Sequence, residues 1–176
     1  EEQETMANYV GWGGLADAFD AEKTAWTGEY KELKAALTEE EYAAARASTL
    51  NAHYTSPTVI RAIYEALDGM GFEKGNILEP SMGVGMLPDS MLGSRLYGVE
   101  LDSITGRIAQ KLYPQAEIKV AGFETTDRRD FYDLAVGNVP FGNYRVSDKP
   151  YDKLGFSIHN YFFAKALDQV RPGGIV

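Results

Sequence analysis

The residues Asn138-Val139-Pro140-Phe141 follow a short apolar run, Leu134-Ala135-Val136, closed by Gly137. Such a run reads as a buried strand. It ends by presenting an amide, a proline and an aromatic ring in a row, where a plain turn would serve. A second stretch is Glu79-Pro80-Ser81-Met82-Gly83-Val84-Gly85. Gly83 and Gly85 let the backbone come close to a ligand, and a following helix offers unpaired N–H groups. The spacing G-x-G-x-x-G fails, because residue 88 is proline, so a dinucleotide reading is weakened. The carboxylate of Glu79 would repel a pyrophosphate but suits a cationic amino acid. The other reading of this pair of glycines is a turn that only joins a strand to a helix.

Glu100 lies within "YGVELD", 15 residues after Gly85. An acid at the end of a second strand commonly accepts hydrogen bonds from ribose hydroxyls. That device fits a nucleoside without saying which one; a solvated loop carboxylate is the alternative. In "AGFETTDRRDF", Phe123 could flank an adenine ring and Glu124 could take its exocyclic amine. A surface loop with a charge cluster at 127–130 is the competing reading.

The elements that must position these groups are strands alternating with helices. "NILEP", "RLYGVEL", "EIKVA", "YDLAVGN" and "GGIV" read as strands. A short helix around Leu87–Leu92, "SITGRIAQKLY" and "SIHNYFFAKALDQV" read as the helices between them. The alternation predicts parallel βαβ units and a doubly wound, mostly parallel α/β sheet. Ligands of such sheets bind outside the carboxyl ends of the strands, at the topological switch point. Before the sheet, "TSPTVIRAIYEALDGMGF" predicts a helix with Ser56 as N-cap and Pro57 at its first position. "GEYKELKAALTEEEYAAARAST" predicts two helices, because Thr38 and Glu41 form a capping-box pattern; Leu33, Leu37 and Tyr42 are their apolar anchors. The closing "LDQVRPGGIV" reads as a helix end, a Pro-Gly-Gly turn and the start of a strand, which predicts a domain truncated at its C-terminus.

Composition excludes several classes. The chain has 176 residues, 44% hydrophobic and 24% charged, which fits one globular domain. No cysteine is present, so disulfides and thiolate metal sites are excluded, and two histidines are too few for a histidine-based metal site. No apolar run approaches a membrane span, and no signal-peptide pattern is seen. The net charge of −9 is uneven: residues 1–50 hold 11 acidic and 4 basic residues, and residues 51–176 hold 15 and 13. Neither part has the basic stripe of a domain that grips nucleic acid alone.

Taken in order, "HYTSP", "ILEPSMGVG", "YGVELD", "GFETT" and "GNVPFG" resemble the motifs of class I S-adenosylmethionine-dependent methyltransferases that modify amino nitrogens. The resemblance covers roughly residues 50–176 and looks closest to N6-adenine DNA methyltransferases, particularly methylase domains fused to helicases in large mobile-element and phage proteins. It implies a Rossmann-like methyltransferase domain over 51–176 behind an irregular and helical extension over 1–50. It also implies S-adenosyl-L-methionine as cofactor, no metal, a cytoplasmic setting, and DNA as partner through a flipped adenine. Recognition would then lie mostly outside this segment, with a fused helicase as a further partner.

Carried over residue by residue, Thr55 and Ser56 lie against the methionine part, unless Ser56 merely caps its helix. Glu79, Pro80, Ser81, Gly83 and Gly85 line the cofactor, Glu100 and Leu101 meet its ribose, and Phe123 and Glu124 its adenine. The side-chain oxygen of Asn138 and the carbonyl of Val139 accept the amino hydrogens, while Pro140 shapes the loop and Phe141 stacks on the base. Gly142-Asn143-Tyr144 either contact substrate or form a flexible loop. His53 and Tyr54 pack near the site. Trp12 and Phe19 either cover the cofactor pocket or simply pack. One departure stands out: Val139 replaces the family's first proline. The carbonyl survives, but the restraint on φ is lost and an N–H is added. An RNA or protein-glutamine methyltransferase, or a degenerate cofactor-binding scaffold, are the other readings; a nicotinamide enzyme fits least.

Overall fold

The computed structural model describes residues 5–6, 9–49, 55–85 and 93–176. Five parallel strands form one sheet in the order β3-β2-β1-β4-β5. They are β1 (Asn76–Glu79), β2 (Arg95–Glu100), β3 (Glu117–Val120), β4 (Tyr132–Ala135) and β5 (Val170–Ile175). Helices α1 (Thr27–Ala36), α2 (Glu39–Ser48) and α3 (Pro57–Gly69) precede the sheet, α4 (Ser103–Leu112) joins β2 to β3, and α5 (Ile158–Gln169) joins β4 to β5. The doubly wound sheet expected from the sequence is present. The expected helix around Leu87–Leu92 lies outside the described residues, as do His53 and Tyr54.

Strand side chains alternate between faces. Ile77, Leu96 and Leu134 pack with Tyr64 and Leu67 of α3 and Ala109 of α4. Their neighbours Leu78, Tyr97 and Ala135 pack on the opposite face with Ile158, Phe162 and Ala166 of α5. Both faces are therefore covered, which is why the strands read as continuous apolar runs.

The helix starts obey the capping rules. Thr38 and Glu41 form a reciprocal capping box, and Ser56 Oγ accepts the Val59 N–H with Pro57 at the first position of α3. The extension has its own small core of Ala18, Phe19, Tyr42 and Ala45, flanked by Trp12, Trp26, Tyr30, Leu33 and Leu37. It joins the sheet domain through an Arg107–Glu41 ion pair of 2.6 Å between α4 and α2.

The end of the chain differs from its sequence reading. Pro172-Gly173-Gly174 do not form a turn ahead of a strand. They lie within β5, in a register shift between Tyr132↔Val170 and Leu134↔Ile175. β5 is an edge of the described sheet, so Pro172's missing N–H is tolerated, and Gly173 takes a left-handed φ of 82° that other residues resist.

Asp133 holds the amino end of the sheet together. Its carboxylate accepts the Asn76 N–H at 2.6 Å and the Arg171 Nε–H, which links β4 to β1 and to β5. Partial burial acts to raise its pKa, but the Asn76 amide and the Arg171 guanidinium prevail and hold it below the ordinary aspartate range. A depressed carboxylate stabilises the fold above its unfolded-state value of about 3.9, and that contribution is lost as pH falls through the folded value. Asp133→Ala is expected to cost about 2 kcal/mol at neutral pH, as for loss of a charged hydrogen-bond partner. Denaturant unfolding of the two proteins should show the difference shrinking below about pH 4. A difference independent of pH would rule this role out.

Candidate active site at the carboxyl ends of the strands

Strands β2 and β4 flank β1 on opposite sides, so the switch point lies between β1 and β4. β4 pairs with β1 through Ile77↔Leu134 and Leu78↔Ala135, and Val136 N–H extends the pairing to Leu78 C=O at 2.9 Å. The loop after β1 and the loop after β4 consequently start side by side. A Cβ placed on Gly137 would stand 3.5 Å from the Cδ of Pro80.

The glycine loop is held from both ends. Met82 N–H donates to Val99 C=O at 2.9 Å, and Gly85 N–H donates to Met82 C=O at 2.8 Å. The Met82 side chain lies directly over Gly98 of β2, where any Cβ would collide with it. Gly83 (φ 57°) and Gly85 (φ 95°) adopt backbone conformations that favour glycine. The space a Cβ of Gly83 would enter is open, while that of Gly85 is filled by the Tyr113 ring. Ligand access is thus possible at Gly83, and Gly85 serves helix and ring packing.

Glu100 organises the neighbouring strand end. Its carboxylate accepts the Gly83 N–H through Oε2 and the Asp102 N–H through Oε1, each at 2.8 Å. Burial pushes its pKa up, against the lowering effect of those amides. Leu101 beside it is exposed. Asp102 caps α4 by accepting the Thr105 N–H at 2.9 Å, and its Oδ1 is buried without a hydrogen bond. Tyr9 OH stands 3.5 Å from Thr105 Oγ1, so the extension reaches this corner through Tyr9. Trp12 packs edge-on against Tyr9 and Phe19, at the edge of the extension's small core.

Not every expected residue faces the crevice. Glu79, the last residue of β1, is 0% exposed. Burial raises the pKa of the neighbouring Tyr64 phenol, and the charge of Glu79 adds to that. Phe123 is 2% exposed and packs at 4.9 Å on Phe162, so its ring sits in the core rather than on a pocket wall. Glu124 is half-buried, its carboxylate folded back over Gly122. Pro80 is buried and Ser81 half-buried at the start of the loop. Thr55 is half-buried ahead of α3, while Ser56 acts as that helix's cap.

After β4, Asn138 is exposed at the mouth of the crevice. Val139 is half-buried and packs against the α5 face of the core. Packing of its side chain thus anchors the position where a proline ring would have supplied the restraint. Pro140 is half-buried. Phe141 is 54% exposed, with the His159 ring 6.0 Å away, centre to centre, at 32°.

Two groups were not singled out from the sequence as part of this region. Lys165 is buried on α5, and its Nζ donates to Asp148 Oδ2 at 2.6 Å; Tyr161 OH donates to the same oxygen at 2.7 Å. The signal was a lysine in register with Tyr161 and Gln169 on a buried helix face. Asp102 carried the other signal, an acid three residues before Thr105 at a helix start.

The fold is that of class I S-adenosylmethionine-dependent methyltransferases. A crystal structure from Listeria monocytogenes, of a protein assigned to that class, superposes with a TM-score of 0.57 at 14% identity, covering 98% of this chain and 63% of that one. In sequence, 135 residues, 73% of the chain, are 33% identical to Defense against restriction protein B of Escherichia phage P1. The chain spans 6% of that protein's length. No family model matches the chain. Among the described residues, no helix is long and apolar enough to cross a membrane.

Gly98→Ala would drive a methyl group into Met82, which positions Gly83. Overpacking of this kind costs about 1–3 kcal/mol. Thermal or denaturant unfolding checks it, and a variant as stable as the parent would show that the end of the Met82 side chain moves aside without cost.

Proposed function

We propose that the chain is the catalytic core of an S-adenosylmethionine-dependent methyltransferase acting on the exocyclic N6 amine of adenine in DNA, within a larger protein. The observation that carries this reading is the adjacency of the two loops at the switch point, with Gly137 against Pro80. On this reading it would set a nucleoside bound at the glycine loop beside an exposed amide and an exposed ring. The similarity to a phage protein named for defence against restriction supports the choice of DNA. Restriction is cleavage of DNA, and the N6 amine is a major-groove donor that a methyl group alters.

The residues present fit the cofactor. The open side of Gly83 accommodates a ligand against the backbone, and the carboxylate of Glu100, already fixed by two amides, retains acceptor capacity for ribose hydroxyls. Exposed Leu101 adds apolar surface next to it. Glu79 would contribute its charge. When bound, the cofactor supplies an electrophilic methyl group.

The chain's own work is on the amine. Its lone pair is delocalised into the ring, which makes it a poor nucleophile. Acceptors at the Asn138 side-chain oxygen and the Val139 carbonyl would take its two hydrogens and favour the pyramidal form reached in the transition state. Phe141, backed by His159, would stack on the target base, whether flipped from a duplex or already unpaired, and offset part of any flipping cost.

Calorimetry with S-adenosylhomocysteine tests the pocket, and Glu100→Ala should abolish the heat. Absence of heat from the parent chain at high micromolar ligand would sink the cofactor assignment. In the larger protein, Asn138→Ala is expected to lower turnover about 10²–10³-fold, as for other single preorganised partners. Methyl incorporation into DNA, RNA and protein is counted separately. Transfer to RNA or to glutamine instead of DNA would replace the substrate, and unchanged turnover would reject the role of Asn138.

A further inference from the structure

We propose that the cleft beyond Phe141 holds the nucleotide next to the target base of an unpaired nucleic-acid strand, its phosphate on Arg145 and its base against Tyr144. The inference rests on the methyltransferase reading and adds the form of the substrate. The cleft, of about 750 Å³, lies between Gly142–Arg145 on one side and Gly155, Phe156, Ser157 and Asn160 on the other. Tyr144 is 39% exposed beside it. Two exposed rings, Phe141 and Tyr144, are therefore three residues apart on one loop, and bases stack on such rings whatever their identity.

Charge favours a polyanion at this place, although the chain as a whole carries −9. Residues 142–157 contain Arg145, Lys149 and Lys153 against Asp148 and Asp152. Both carboxylates are already engaged, one by α5 and one within the loop. Asp148 Oδ2 receives Lys165 and Tyr161, while Asp152 accepts the Asp148 N–H at 2.8 Å and Ser147 Oγ–H at 3.1 Å. Arg145, Lys149 and Lys153 enter none of the ion pairs among the described residues. The Arg145 guanidinium reaches across the cleft, with Nη1 3.9 Å from where a Cβ of Gly155 would stand. Ser157 Oγ pairs with His159 Nε2 at 3.1 Å instead of capping α5, so no side chain takes up the first amides of that helix at the cleft floor.

The loop is also braced, which distinguishes a preformed surface from a slack one. The buried Lys165–Asp148 pair pins its middle, and Tyr151 OH donates to Asp168 at 2.7 Å. An unpaired strand matches both the rings and the cations.

Fluorescence anisotropy tests the site, using the 176-residue chain and labelled single-stranded DNA, single-stranded RNA of the same sequence, and duplex DNA at 50 and 200 mM salt. Either single strand is expected to bind more tightly than duplex. Arg145→Gln should lower the slope of log affinity against log salt by about 0.7, the value for one phosphate contact on a single strand. Tyr144→Ala should weaken single-strand binding roughly tenfold and leave the slope unchanged. Both side chains are exposed, so an unchanged melting temperature verifies folding. Binding indifferent to both substitutions, equal binding of duplex, or displacement of the strand by a glutamine-containing peptide would overturn the proposal. The homocysteine calorimetry fails or succeeds separately. Normal heat with a strand affinity insensitive to Arg145 rejects the cleft alone, and no heat with an Arg145-dependent affinity rejects the methyltransferase reading alone.

Discussion

The pairing of β1 with β4 is the constraint on which the rest of this molecule depends. Two neighbours leave the carboxyl side of the sheet in different directions at this point, and a crevice opens between their loops. The hydrogen bond from Val136 N–H to Leu78 C=O is its last rung before the chains part. Everything placed near the crevice inherits its position from that rung: Pro80 and Gly83 on one side, Gly137 and Asn138 on the other. At the opposite end of the same strands Asp133 fastens β4 to β1 and β5, so the pair is held at both ends.

Half-buried carboxylates do the local positioning, each satisfied in a different way. Glu100 accepts backbone amides and so ties the glycine loop to the end of β2. Asp148 accepts a buried ammonium and a phenol, and so ties the loop after Phe141 to α5. A buried charge without partners would cost several kcal/mol, which is why these groups come with their donors. The arrangement leaves the exposed groups, Asn138, Phe141, Tyr144 and Arg145, on backbone that is itself braced.

The extension over the first 50 residues is organised by aromatic packing rather than by the sheet. Phe19, Tyr42 and Trp12 form its centre, and Tyr42 OH donates to Phe19 C=O at 3.1 Å. Tyr9 and the Glu41–Arg107 pair attach it to α4, next to Glu100. The acidic side chains of α1 and α2 belong to this extension, while Arg145, Lys149 and Lys153 on the loop after β4 enter no ion pair among the described residues.

Sequence alone determined the elements and the kinds of groups at their ends, because period, caps and glycine spacing are local properties. The capping box at Thr38, the cap at Ser56 and the strand that stops before Asn138 all follow from residues within one turn or one strand. The candidate site was legible to the same extent: Glu100, Gly83 and Asn138-Phe141 announce themselves by type and place. What local pattern cannot carry is depth. Phe123 and Glu79 read as ligands, and both are buried, Phe123 against Phe162 of α5, which no local pattern announces. The Pro-Gly-Gly segment read as a turn, but pairing with β4 drew it into an edge strand. Lys165 and Asp148 stand 17 residues apart, and only the return of α5 across the sheet makes them partners. Tertiary structure decided which polar groups reach solvent and which become struts, since that choice belongs to the neighbours a residue meets and not to the residue itself.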